Sequence, residues 1–209
     1  MIPTKAAFTV ATCLTMLASG CSGGRTASQP GGSATDSVPA AGHREKTIDE
    51  QSLKVEFEYK SWTEVQARVA EHRGKVVVID VWSTSCLPCL EKFLGLVELH
   101  DSHRGDVVCM SYNVDDCVPM SKELQTRILE FLKKQNATFE NFVCSDSSDA
   151  FYEASKTFSI PLIFVYGRDG ALAELFKDDL KKYGREGFGY DKHVAPLVAA
   201  LVEAPAGGN

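Results

Sequence analysis

The sequence predicts an α/β protein in which a central mixed β-sheet is flanked by helices. A continuous β-branched run over residues 76–82 (VVVIDVW) is typical of a strand that is buried on both faces. Segments with apolar residues at positions i, i+3, i+4 and i+7 alternate with such strands, as in α/β proteins. Two short apolar segments bracket the turn 167–170 (GRDG), which predicts a hairpin and therefore an antiparallel edge.

In the first half of the folded region, the predicted strands and helices alternate along the chain. Apolar residues alternate over 53–59, which predicts a half-buried strand. Ser61 and Glu64 have the spacing of a capping box, so a helix should begin there. After the strand 76–82, the pattern predicts a helix over 86–103 and a second buried strand over 107–114.

The second half continues with shorter elements and closes with an amphipathic helix. In order, we expect a helix capped by Ser121, a strand over 139–144, a helix over 148–158, hairpin strands over 162–166 and 171–176, and a last helix over 194–202.

Composition excludes several classes of function. Of the 209 residues, 44% are hydrophobic and 24% are charged, which is ordinary for a globular domain. The net charge is −6 and no basic stripe is present, so nucleic acid is not an expected partner. The seven cysteines are too few for a disulfide-dense miniprotein, and their odd number means that they cannot all pair.

Residues 1–21 predict export. Lys5 precedes an apolar stretch over 6–18, which is the pattern of a secretory signal peptide and is too short to span a bilayer. The small residues before Cys21 resemble a bacterial lipobox, in which that cysteine is lipidated. Ala18 stands where the lipobox usually has leucine. The alternative is a plain signal peptide, and both interpretations place the protein outside the cytoplasm, in the periplasm or cell envelope.

The signal peptide is followed by a linker. Residues 22–51 are rich in Gly, Ser, Ala, Pro and Thr and hold few large apolar side chains, so we expect a disordered tether. The folded domain is predicted over 52–204, and residues 205–209 are expected to be a flexible tail.

Cys86 and Cys89 form a C-x-x-C pair at the junction of a buried strand and a helix. The unpaired N–H groups and the dipole of a helix N-terminus stabilise a thiolate, which makes Cys86 the attacking sulfur of a redox-active dithiol. Two alternatives compete. A zinc site needs two more ligands, and His100 and His103 lie about three turns farther along the same helix. A purely structural disulfide would not need the strand-to-helix position.

The residues around this pair resemble a known family. Segment 80–89 (DVWSTSCLPC) is similar to the active-site segment of thioredoxins, and segment 159–162 (SIPL) is similar to their cis-proline loop. The longer stretch 131–158 resembles the extra strand and helix of the TlpA/ResA-like, membrane-tethered thioredoxins. The resemblance covers about residues 60–203 and implies a thioredoxin-like fold with an extra strand and helix before the cis-proline.

The resemblance also implies roles for individual residues. Cys86 would be the nucleophile, Cys89 the resolving cysteine, and Asp80 the buried carboxylate that takes the proton from Cys89. Pro161 would be cis and would expose the backbone of Ile160 to an extended substrate segment. The residues that it implies for substrate binding are Trp82, Pro88, Ile160 and Pro161. We expect no bound cofactor, and we expect no metal because the two further ligands of a zinc site are lacking.

Three positions depart from the thioredoxin pattern. Ser85 replaces the tryptophan before the first cysteine, Ser111 falls where a lysine faces the buried aspartate, and Leu94 replaces the helix-kinking proline. We expect the redox chemistry to survive these departures. They predict that Asp80 is tuned differently than in thioredoxins and that the substrate surface is less apolar.

Three further cysteines lie in the folded region. Cys109, within the strand 107–114, should behave as a small buried hydrophobe. Cys117 and Cys144 each follow or end a strand, so they could be neighbours at one edge of the sheet and could pair in an oxidising compartment.

The sequence therefore predicts an exported, lipid-anchored thiol–disulfide oxidoreductase that reduces disulfides of exported proteins. By resemblance, a membrane electron donor recharges it. One alternative is a peroxiredoxin-like peroxidase, since Ser83 places a hydroxyl three residues before Cys86, although Ile79 stands where a proline is expected. The other is a metal-binding or non-catalytic scaffold that kept the fold.

Overall fold

A six-stranded sheet organises the part of the chain that the computed structural model describes, residues 54–115 and 119–204. The strands are β1 (Glu58–Lys60), β2 (Val76–Trp82), β3 (Val107–Asn113), β4 (Glu140–Cys144), β5 (Leu162–Tyr166) and β6 (Leu172–Lys177). The helices are α1 (Trp62–Glu71), α2 (Leu87–Ser102), α3 (Lys122–Lys134), α4 (Ser148–Ser155), α5 (Leu180–Tyr183) and α6 (Ala195–Glu203), and a π-helical turn (Tyr190–Val194) precedes α6.

The sheet is mixed, as the sequence predicts. Its strand order is β1-β4-β3-β2-β5-β6, and the first four strands are parallel to one another. β5 runs antiparallel to β2, and β6 runs antiparallel to β5. The register pairs Val81 with Leu162, so the start of β5 lies beside the end of β2. The strand and helix predicted before Pro161 are present as β4 and α4.

Helices cover both faces of β2, which explains its continuous apolar sequence. One face carries Ile79 in a cluster with Trp62 of α1 and Phe151 of α4. The opposite face carries Val78 in a cluster with Leu96 of α2. Because side chains alternate along a strand, Asp80 lies on the same face as Val78, beneath α2.

Local signals fix the ends of several helices. The capping box of α1 is present, with the Ser61 hydroxyl accepting from the Glu64 backbone and the Glu64 carboxylate accepting from the Ser61 backbone. Ser121 caps α3 through the backbone N–H of Leu124. α4 ends at Ser155, earlier than the predicted end at residue 158, and the next residue, Lys156, takes the left-handed conformation with φ 55°.

Two regions differ from the prediction. The strand predicted over 53–59 is observed only over Glu58–Lys60, because β1 pairs with no more than the last three residues of β4. Val55 and Phe57 still alternate with exposed neighbours and pack against the core outside the sheet. Residues 178–193 had no predicted element, yet they hold α5 and most of the π-helical turn.

The predicted signal peptide, the linker up to residue 53, Cys21, Cys117 and the tail 205–209 lie outside the described residues. Among the helices of the described part, none is long and apolar enough to cross a membrane.

Candidate active site

Cys86 and Cys89 are joined by a disulfide at the beginning of α2, with their Cα atoms 5.3 Å apart. Cys86 is the N-cap residue of α2, and Pro88 occupies the first turn, where a missing N–H costs nothing. The backbone N–H of Cys89 donates to the Cys86 sulfur at 3.3 Å. The helix terminus therefore points a hydrogen-bond donor at the sulfur that would carry the negative charge after reduction.

The two sulfurs differ in access to solvent. Cys86 is partly exposed, whereas Cys89 is fully buried. Leu87, one of the two residues between them, has 65% of its surface exposed. An incoming sulfur can therefore reach Cys86 from solvent but not Cys89.

The charge environment of α2 favours an anion at Cys86. The first turn of the helix contains no acidic residue, so no carboxylate there opposes the helix dipole. A thiolate at this N-cap would be stabilised by the dipole and by the Cys89 N–H.

A polar network holds the loop that leads into the dithiol. The backbone N–H of Thr84 donates to Oδ2 of Asp115 at 2.9 Å, and Nδ2 of Asn113 donates to the same oxygen at 2.9 Å. The hydroxyls of Ser83 and Ser85 are 2.9 Å apart. Asn113 and Asp115 were not among the predicted site residues, although polar residues at the end of a buried parallel strand are a signal that could have indicated them.

The loop before β5 lies next to the dithiol. The Ile160–Pro161 peptide bond is cis, as predicted. Pro161 is buried, and Ile160 packs against the cluster that contains Cys89 and Cys86. Phe158, in the same loop, is 86% exposed. The antiparallel pairing of β5 with β2 is what brings this loop to the end of the strand that precedes the cysteines.

Asp80 is buried on the α2 face of the sheet, with 1% of its surface exposed. Burial raises the pKa of its carboxyl from 3.8 to about 7, and a hydrogen bond from Tyr190 and the charge of Lys92 partly oppose that rise. The Tyr190 hydroxyl donates to Oδ2 of Asp80 at 2.7 Å. A carboxyl with a pKa near neutrality can exchange a proton at physiological pH.

Comparisons with known proteins agree with this architecture. No family model matches the chain. The chain is similar to the crystal structure of a thioredoxin-like superfamily protein, with a TM-score of 0.52 at 17% identity, over 66% of this chain and 87% of that chain. The fold is thioredoxin-like.

Two other solved structures are similar at lower scores. One is a secreted Mycobacterium tuberculosis disulfide oxidoreductase homologous to DsbE of E. coli, with a TM-score of 0.49 at 19% identity, over 63% of this chain and 86% of that chain. The other is a thioredoxin-like protein in the oxidized form, with a TM-score of 0.48 at 22% identity, over 61% of this chain and 78% of that chain.

Trp82 packs in the apolar cluster beneath the dithiol of this thioredoxin-like fold. Its ring is buried and lies 5.4 Å from the Phe93 ring and 4.7 Å from the Phe131 ring, measured between centroids. It shares an apolar cluster with Cys89. Trp82 was predicted with the substrate-binding residues, and in this oxidised structure it packs beneath the site and is not exposed to a substrate.

The thioredoxin-like fold places Ser111 beside Asp80 in the register of β3 and β2. The Ser111 hydroxyl donates to Oδ1 of Asn141 at 2.8 Å, so this hydrogen bond is made to β4. The hydrogen-bond donor to Asp80 comes instead from Tyr190, which sequence analysis did not single out. An aromatic residue in a glycine-rich segment gives no periodic signal, so sequence alone offered nothing to connect it with Asp80.

Two other cysteines are buried in this fold. Burial raises the pKa of the Cys109 thiol well above its usual range, which leaves it protonated and unreactive. Cys144 lies buried at the end of β4. Over residues 54–115 and 119–204, no three His, Cys, Asp or Glu side chains are grouped as metal ligands would be.

Proposed function

We propose that the protein is a thiol–disulfide oxidoreductase that acts on disulfides of exported proteins as a reductant. One observation carries the proposal: a disulfide at the N-terminus of α2 joins a partly exposed Cys86 to a buried Cys89. This asymmetry suits a pair in which one sulfur attacks a substrate and the other releases it.

The reaction begins with the reduced pair. The Cys86 thiolate attacks one sulfur of a substrate disulfide, which forms a mixed disulfide and releases the other substrate sulfur as a thiolate. Asp80 then takes the proton of the Cys89 thiol, and the Cys89 thiolate attacks the Cys86 sulfur. This step forms the Cys86–Cys89 disulfide and releases the second substrate thiolate, so two electrons have passed to the substrate. An external dithiol donor returns the pair to its reduced form.

Substrate binding would use the surface around Cys86. An extended substrate segment would pair with the backbone of Ile160, as peptides do when they add to an exposed edge. Leu87 follows Cys86 in the chain and Phe158 lies in the loop that carries Ile160, and their exposed side chains offer apolar contacts to a substrate. Pro88 lies in the same exposed first turn of α2, and buried Pro161 holds the loop that carries Ile160.

We expect the protein to work outside the cytoplasm, held at a membrane by a lipid on Cys21 and recharged by a membrane electron donor. The signal-peptide pattern and the lipobox-like sequence support this location. In cells that express the full chain, Cys21→Ser should move the protein from the membrane fraction to the soluble extracytoplasmic fraction. Equal membrane association of both forms would exclude the lipid anchor while leaving the redox function open.

Trapping of mixed disulfides tests the function. Cys89→Ala removes the resolving sulfur, so the variant should accumulate disulfide-linked complexes with exported proteins that disappear on reduction. Cys86→Ala should not, because its remaining sulfur is buried. As a matched control, adding Cys109→Ala to Cys89→Ala should leave trapping unchanged. Absence of complexes with Cys89→Ala, or equal trapping by both single variants, would contradict the proposed function.

A further inference from the structure

The contact between Tyr190 and Asp80 joins the C-terminal part of the chain to β2, the strand that leads into the dithiol. The two residues are 110 positions apart in sequence, and their hydrogen bond of 2.7 Å is buried. Tyr190 is the first residue of the π-helical turn, and Asp80 lies on the central strand β2. A buried hydroxyl aimed at a buried carboxylate makes a charge-assisted hydrogen bond when the carboxylate is ionised.

Gly95 makes the approach of Tyr190 possible. A Cβ atom at Gly95 would lie 2.3 Å from Cγ and 2.5 Å from Cβ of Tyr190, which is far inside van der Waals contact. These are atoms at the base of the tyrosine side chain, so a rotamer change could not relieve the clash. A glycine within α2 is unfavourable for the helix itself. Its presence under the ring indicates that the space is required for Tyr190.

The other groups that face Asp80 do not replace this donor. Lys92 on α2 lowers the pKa of Asp80 through its charge, and it lies 5.5 Å from the ring of Phe188. Cys109 on β3 interacts electrostatically with Asp80, but burial keeps its thiol protonated. Cys89, in the first turn of α2, is the thiol that Asp80 would deprotonate in the proposed exchange. The residues after Tyr190 that are buried in the cluster on this face of the sheet are apolar, namely Val194 and Val198.

We propose that Tyr190 is a positioning residue for proton transfer from Cys89: its hydroxyl orients the Asp80 carboxylate and favours the ionised form that accepts the proton. The proposal rests on the proposed thiol–disulfide exchange. Burial and the neighbouring Asp80 raise the pKa of Tyr190 well above its usual value, so its hydroxyl stays protonated and acts as a donor. In this role, Tyr190 takes the place of the lysine that faces the buried aspartate in thioredoxins. In this chain, Ser111 stands at the position of that lysine.

Tyr190→Phe isolates the hydroxyl, because the ring that fills the space over Gly95 is kept. Without the donor, the ionised form of Asp80 is less favoured, so its pKa should rise above about 7. The step in which Cys89 attacks Cys86 should then reach its full rate only at higher pH. The attack of Cys86 on a substrate does not use Asp80, so it should keep its pH dependence.

In reduced full chain carrying Cys13→Ser, Cys21→Ser and Cys117→Ser, only the buried Cys109 and Cys144 remain beside the dithiol. A two-phase reaction of this protein with 5,5′-dithiobis(2-nitrobenzoate) separates the two steps. The first thionitrobenzoate is released when Cys86 attacks the reagent, and the second is released when Cys89 resolves the mixed disulfide. In Tyr190→Phe, we expect the pH midpoint of the second phase to move upward by about one pH unit, with the first phase unchanged. Tyr183→Phe is the matched control, since Tyr183 packs against Phe188 in the same region, and it should leave both phases unchanged.

Gly95→Ala provides a second test that does not depend on the tyrosine substitution. The added methyl group must displace the Tyr190 ring, so the second phase should move to higher pH in this variant also. An unchanged midpoint in both variants, with a second phase slowed by Asp80→Asn, would overturn the role of Tyr190 and leave the function standing. Loss of the first phase in wild-type protein would instead contradict the proposed exchange itself.

Discussion

At the scale of single residues, the candidate site contains a carboxyl group that is buried where its ionised form is unfavourable. Asp80 interrupts the apolar run of β2, and its position predicts both its burial and a raised pKa. The sequence could predict Cys86, Cys89 and Asp80, because a motif and an anomaly in an apolar run mark them. It could not predict Tyr190, since only the folded chain brings it to Asp80.

Asp80→Asn should stabilise the oxidised protein at neutral and alkaline pH. The folded state favours the protonated carboxyl, so it binds more protons than the unfolded state between pH 3.8 and about 7, and stability falls as pH rises through that window. The rise in pKa corresponds to at most roughly 4 kcal/mol at pH 8. Asparagine cannot ionise, and its side-chain oxygen can still accept from Tyr190.

Urea unfolding at several pH values measures this effect. The variant should exceed the wild type by a few kcal/mol at pH 8, and the two should converge below about pH 4. Equal free energies of unfolding for the variant and the wild type at pH 8 would show that ionising the buried Asp80 does not destabilise the folded state.

At the scale of elements, α2 connects the parts of the site. Its N-terminus holds the dithiol, and Gly95 in its middle admits Tyr190. The apolar patterns of the sequence predicted α2, β2 and β3, because buried residues recur at regular positions along each of these elements. The same method failed for β1, whose length is set by its pairing with β4, and for the segment 178–193, which has no repeating pattern.

Asp115→Ala should loosen the loop that enters α2. The substitution removes the acceptor for the Thr84 N–H and for the Asn113 amide, so we expect a loss of about 1–3 kcal/mol in stability and a slower attack by Cys86. Asp169→Ala is the control, because Asp169 also accepts a backbone N–H at 2.9 Å, from Ala171, in the turn between β5 and β6.

Thermal unfolding and the first phase of thionitrobenzoate release measure the two effects. Only Asp115→Ala should slow the reaction. If both variants lose the same stability and keep the wild-type rate, the network around Asp115 has no part in positioning the dithiol.

At the scale of the whole molecule, the sheet brings together segments that are distant in sequence. The mixed topology predicted from the alternation and the hairpin was confirmed, and β5 brings the loop with the cis Ile160–Pro161 bond to the end of β2. The positions of the two motifs in the sequence could predict this arrangement, because the order and direction of the strands determine which strand ends lie side by side. The contact of residue 190 with β2 could not be predicted, because it depends on the path of an irregular segment.

The isolated domain should behave as a reductant, with a potential below about −200 mV. The helix N-terminus stabilises the Cys86 thiolate, but no Lys or Arg occurs in the segment 83–85 to stabilise it further. Equilibration in glutathione redox buffers, followed by a gel shift of alkylated thiols, measures the potential. A domain that stays reduced in a strongly oxidising buffer would be an oxidase, contrary to the proposed direction.

The separation of Asp80 and Tyr190 along the chain has a consequence for biosynthesis. Translation delivers the C-x-x-C motif about 100 residues before it delivers Tyr190. In the proposed exchange, a nascent or truncated polypeptide therefore has the nucleophile but lacks the hydroxyl that orients the proton acceptor. Such a chain would capture a sulfur but release it slowly at neutral pH, and efficient turnover would begin only after the C-terminal segment has docked.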